Sequence, residues 1–276
     1  MSFCGEIPFE TREFLIALSD KYEKPEFLNE DPSQFLRSFS SETEAEVFSF
    51  IAAMLSFGSR KQFIPKIKEI YSLAFPSVVS WLKSGQYSVD FKRMSPDLEK
   101  KFYRFYSYSD MIVFFEEIAS ILKIDSFGNF FKTRTEKALL ELKKSCSGEK
   151  FGEEFGEEFL EKKRLVLSSE ISNYFVKSKI VPKGKNSSNK RVNMYLRWMT
   201  RKNSPVDLGL WSWWKSEDLI IPLDVHVLSE AKKLSLIPEN AKPSLKTALL
   251  LTEKLKTIWK DDPCKGDFAL FGLGVE

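Results

Sequence analysis

Histidine is nearly missing from this chain: His226 stands alone, and the three cysteines, Cys4, Cys146 and Cys264, lie far apart with no Cys-x-x-Cys pair among them. These scarcities exclude a disulfide framework and the usual cysteine- and histidine-ligated metal centres, so reduced thiols, no metal and no cofactor are expected. Long hydrophobic runs are also missing. The longest, around Phe48 to Phe57, is far shorter than the roughly 20 apolar residues a bilayer demands. Met1 to Tyr22 interleaves acids with its hydrophobics and lacks the basic start and apolar core of a signal peptide, which predicts a cytoplasmic protein without membrane contact. Nor does one charge sign dominate: 42 Lys and Arg face 39 Asp and Glu, a net charge of +3. Attraction to a polyanion must therefore come from where the positive charges sit.

What the chain does have is helical periodicity. Val47, Phe50, Ile51, Met54 and Leu55 recur at three- and four-residue steps, as do Ile112, Phe115, Ile118, Ala119 and Leu122. Strand-like alternation with hairpin dipeptides is hard to find, and Pro and Gly fall mostly between periodic stretches. The pattern predicts an all-α fold with helices over 10–22, 43–56, 61–73, 109–123, 134–145, 156–177, 189–201, 224–235 and 244–259. The near-duplicate Phe-Gly-Glu-Glu-Phe-Gly-Glu-Glu-Phe at 151–159 is too short for a structural repeat and reads as an acidic lead-in to the next helix.

One segment departs from the rest. Residues 177–191 carry six positive charges, no acid and turn formers in the middle, a basic loop. The helix that follows places Lys190, Arg197 and Arg201 at steps of seven and four, which predicts a basic stripe opposite Val192, Leu196 and Met199. Downstream, Asp224 stands after Pro222 and before the periodic Val227, Leu228, Ala231 and Leu234, the N-cap position, where free amides and the helix dipole favour its ionised form. A plain cap is sufficient reason for an Asp there. His226 points toward Glu230 one turn on, which predicts a structural pairing with backbone or Glu. Trp211, Trp213 and Trp214 offer stacking surfaces or, more commonly for aromatics in a helical protein, core. Tyr103, Arg104 and Phe105 read the same two ways.

Pro-Leu-Asp-Val-His-Val, 222–227, resembles the segment of the helix-hairpin-helix base-excision DNA glycosylases that carries their catalytic Asp. The stretch from Phe50 through Arg60 to Tyr71 resembles the early helix-turn-helix of the same enzymes. Still closer is the similarity to a little-characterised bacterial family, distantly related to these glycosylases. Its recurring elements match Asp31-Pro32, Ala52–Gly58, Phe102–Phe105, Lys190–Met199, Val206–Trp211, the Asp224 segment and Asp262–Gly272, nearly the whole chain. The resemblance implies a two-lobed fold, one unit over 1–276 with two interleaved helical lobes, gripping DNA between them through a hairpin at about 170–201. It implies catalytic roles for Lys190, which opens the second hairpin helix, and for Asp224, with DNA contacts from Lys183, Lys185, Arg191, Arg197, Arg201 and Arg60. Damaged or unpaired DNA is the partner so implied.

The departures from that pattern matter. The hairpin has Gly184 but no Gly-x-Gly turn, and Lys190 and Asp224 are 34 positions apart across a tryptophan-rich insertion around 203–219. No glutamine occupies Ser56–Arg60 to fill the space of a flipped base, although Arg60 or Gln62 offers a substitute, and the C-terminal four-cysteine cluster of some relatives is missing. Three readings follow: a glycosylase or abasic-site lyase, a non-catalytic DNA- or RNA-binding module on the same scaffold, and a protein-interaction scaffold whose basic loop is a solvated surface.

Overall fold

The computed structural model describes residues 6–29, 31–146 and 156–274. Helices dominate it, in agreement with the all-α expectation. In chain order they are α1 (Phe9–Tyr22), α2 (Glu42–Leu55), α3 (Arg60–Ala74), α4 (Val78–Lys83), α5 (Gln86–Met94), α6 (Tyr108–Leu122), α7 (Phe127–Cys146), α8 (Glu157–Tyr174), α9 (Lys190–Thr200), α10 (Val225–Lys233), α11 (Leu245–Lys256) and α12 (Lys265–Leu273). A small antiparallel hairpin that periodicity did not reveal, β1 (Lys101–Tyr103) and β2 (Tyr106–Ser107), precedes α6. Most of the acidic repeat at 151–159 lies outside the described residues. Among the described residues no helix is long and apolar enough to cross a membrane.

Local chemistry sets the helix starts. Ser107 and Asp110 form a reciprocal capping box at α6, and Ser41 and Ser244 accept the amides of Glu44 and Thr247 at α2 and α11. Helix α7 begins at Phe127, earlier than the predicted 134, although Gly128 weakens its first turn. Burial of Phe127 and Phe131, and a hydrogen bond from the Gly128 amide to the Glu46 carboxylate, outweigh that propensity.

The chain divides into two compact units: one joins Met1–Asp31 to Gly184–Glu276, the other is Pro32–Lys183. We call them the terminal unit and the central unit. In the terminal unit α12 packs on α1 and on α10. Its contact with α1 is so close that a Cβ at Gly272 would collide with the Tyr22 ring, so the glycine is a packing requirement. In the central unit α6 packs against α4 and α5, and α7 against α8. Its core is aromatic: Phe50 stacks on Phe175 at 5.0 Å between ring centroids and touches Phe127 and Phe114, all buried. The boundary between Lys183 and Gly184 falls within the stretch expected to form the helical hairpin, so α8 and α9 belong to different units.

Candidate active site

Asp224 is the N-cap of α10, as its sequence position predicted. Its Oδ1 accepts the amides of His226 and Val227 at 2.9 and 3.0 Å. The other oxygen, Oδ2, faces the Nζ of Lys190 at 3.7 Å. One carboxylate thus closes a helix and presents a charge to a lysine. The two side chains are 29% and 20% exposed, shielded enough to strengthen their attraction yet open to an approaching group.

Backbone chemistry brings these two helix starts together. Asn189 adopts the left-handed conformation, with φ of 50°, and turns the chain into α9. Its neighbour Ser188 donates to the Leu223 carbonyl at 3.0 Å, while the Asn193 side chain donates to the Ser188 carbonyl at 2.9 Å. Residues 188 and 223 are therefore tied directly, and Lys190 and Asp224 follow from each.

Behind the pair lies a buried charge network that sequence reasoning read wrongly. Arg197 and Arg201, expected on an exposed basic stripe for DNA, are buried, with relative exposures of 4% and 3%. Arg197 pairs with Asp267 at 2.5 Å and Asp207 at 3.3 Å; Arg201 pairs with Asp207, Glu23 and Asp262 at 2.6, 2.7 and 2.8 Å. Both guanidiniums also lie over the Phe268 ring. Neither is available to a phosphate. Nothing within α9 marks this in advance: Lys190, Asn193, Arg197 and Thr200 recur at three- and four-residue steps as a polar face, and the acids that hold the two arginines come from other segments of the chain.

The tryptophan-rich insertion completes this network. Amides of Leu208 and Gly209 donate to the Trp198 carbonyl at 2.8 and 3.1 Å, and the Trp211 amide to Met199 at 2.7 Å, which satisfies the orphan carbonyls at the end of α9 and sets Asp207 between the two arginines. A Cβ on Gly209, whose φ is +65°, would lie 2.5 Å from the Lys202 Cα. Trp211 and Trp214 are buried core, the commoner of their two predicted uses.

Two cations face four carboxylates here, Glu23, Asp207, Asp262 and Asp267, so the interior carries an excess of acid. Burial pushes the Asp267 carboxyl up to about 6 against the opposing pull of Arg197, and it also feels Asp224, which raises it, and Lys190, which lowers it. Burial likewise raises Asp262 despite Arg201, and it raises the Cys264 thiol.

The remaining predicted contacts are dispersed. Lys185 is exposed with φ of 52°, and Arg191 is half-buried. Lys183, in the central unit, directs its ammonium to the carbonyls of Phe175 and Ser178, closing the turn after α8, and burial lowers its pKa. Arg60 opens α3, also in the central unit. His226 is exposed, and Glu230, its expected partner, binds Lys233 at 2.7 Å instead. Residues 31–276 match a family described as "Protein of unknown function (DUF2400)". No curated protein and no solved structure matches the chain.

Proposed function

The chain belongs to the DUF2400 family, and we propose that it is a DNA-binding protein of base-excision type, acting on an N-glycosidic bond or an abasic site through Lys190 and Asp224 on a helix-hairpin-helix glycosylase-like fold. The observation that carries the reading is the approach of Lys190 Nζ to Asp224 Oδ2 at 3.7 Å, across 34 positions of sequence and at the starts of two helices. Asp224 Oδ2 accepts a proton from the lysine, whose amine attacks the sugar C1′. The C1′–N bond breaks with its electron pair leaving on the base, and the lysine retains C1′ as a Schiff base after ring opening. Positive charge developing on the sugar meets the buried acid excess behind the pair. Lys185 and Arg191 hold flanking phosphates. The partner is damaged or unpaired DNA, exposed for reaction by extrusion of the base.

A second reading has its own observation. Asp224 already accepts two amides, so a plain cap whose spare oxygen holds Lys190 as a phosphate contact describes a non-catalytic DNA- or RNA-binding module. Borohydride trapping on abasic DNA separates the two. The wild type should form a covalent adduct that Lys190→Ala cannot form. Asp224→Asn should retain the cap, since Asn caps about as well as Asp, while turnover drops about 10²–10³-fold. Folded, DNA-bound protein that neither traps nor releases a base from any of a panel of lesions would leave the binding module standing.

A further inference from the structure

The central unit presents an exposed aromatic and a guanidinium at one fixed place. Phe105, at the tip between β1 and β2, is 59% exposed. Its ring packs against Phe57 at 5.3 Å and edge-on to Tyr106 at 4.7 Å. Arg104 beside it holds φ at 50°, a conformation that glycine or asparagine adopts far more readily. Its guanidinium lies over the Phe57 ring at 5.5 Å and so close to Gly58 that any Cβ there would collide with it. The Tyr103 hydroxyl donates to the Phe57 carbonyl, tying the tip to the turn between α2 and α3. Tyr103 and Tyr106 are buried beneath. The positive φ belongs to the two-residue hairpin turn, which requires it; the turn does not require an arginine laid on the Phe57 ring beside an exposed aromatic.

Charge identifies the complement. The two tied loops, residues 56–62 and 100–107, hold Arg60, Lys61, Lys100, Lys101 and Arg104 and no acid. We propose that this tip is a second nucleic-acid contact, in which Phe105 stacks on an unpaired base of DNA and Arg104 holds the adjoining phosphate. The inference rests on the DNA-binding reading above but invokes neither Lys190 nor Asp224. A flat aromatic face accepts any base, so the contact selects unpaired over paired structure, not sequence.

The test uses the full chain and two DNA duplexes, one intact and one with an unpaired 2-aminopurine, whose fluorescence falls on stacking. For the unpaired duplex, Phe105→Ala should weaken binding about 5- to 50-fold and abolish the quenching, whereas Phe105→Trp should keep both. For the intact duplex the same change should shift affinity less than about two-fold. Arg104→Gln should weaken binding to both and reduce the salt slope by about one. Phe105→Ala that binds and quenches like wild type, or that loses affinity equally for both duplexes, would overturn this proposal and leave the DNA-binding reading intact. Wild type that binds neither duplex would remove both.

Discussion

The two units bury their acids differently. In the central unit, two buried carboxylates bind the backbone: Glu117 accepts the amides of Lys177 and Ser178 at 3.1 and 2.9 Å, and Glu46 accepts the Gly128 amide at 3.2 Å. A third, Asp90, accepts from the side chains of Trp81, Gln86 and Arg93, all close to it in sequence. In the terminal unit, the buried acids bind Arg197 and Arg201 from segments far away in sequence, Glu23 before and Asp262 and Asp267 after. Glu117 and Glu46 reach backbone amides that carry no formal charge. The terminal acids form a network, in which removal of one member leaves several charges uncompensated. The network also adjoins Lys190 and Asp224, whose charges Asp267 feels.

The largest expected break in this comparison is Arg201→Met. It strands Glu23 and Asp262, leaves Asp207 to Arg197 alone, and should lower stability by about 3–5 kcal/mol in urea unfolding. Adding neutral isosteres at those three acids should recover much of the loss, which no local packing defect would allow. Next comes a pH effect. The Asp267 carboxyl titrates near 6 when folded and near 3.8 when free, so the folded chain holds a proton that the unfolded chain has lost between those values. This group's contribution to stability therefore falls as pH rises from about 4 to 6 and stays level above. Asn resembles the protonated acid, so the wild type should lose stability relative to Asp267→Asn over that window by up to about 3 kcal/mol, read from unfolding curves at a series of pH values. Smallest is the central counterpart, Glu117→Gln. The amide oxygen still accepts one of the two backbone amides, so the loss should be about 1–2 kcal/mol, without the rescue by neutralised neighbours expected of Arg201.

Helices α2, α3, α6 and α11 were readable within a residue or a few because each combines a periodic apolar face with a capping or polar start. Helices α4 and α5 escaped because six and nine residues are too few for a period to emerge. Helix α12 escaped for a different reason: Lys-Gly-Asp-Phe-Ala-Leu-Phe-Gly-Leu holds two glycines and no polar face, a poor helix by propensity. Both glycines have tertiary causes, since a Cβ at Gly266 would lie 2.6 Å from the Leu255 side chain and one at Gly272 would meet Tyr22.

At the candidate site the division is similar. The sequence by itself determined that Asp224 caps a helix, because the cap depends on the two amides that follow it and on nothing distant. It also determined the helical class, through apolar spacing that any burial must respect. Only the tertiary structure decided that Lys190 meets Asp224, because that contact depends on the turn at Asn189 and on the Ser188 tie to Leu223. It alone decided that Arg197 and Arg201 face inward. A charge at helical spacing looks the same in sequence whether its partner is a phosphate or a buried carboxylate; the partners Glu23, Asp207, Asp262 and Asp267 are gathered only by folding, and burial of a charge is tolerable only once they are.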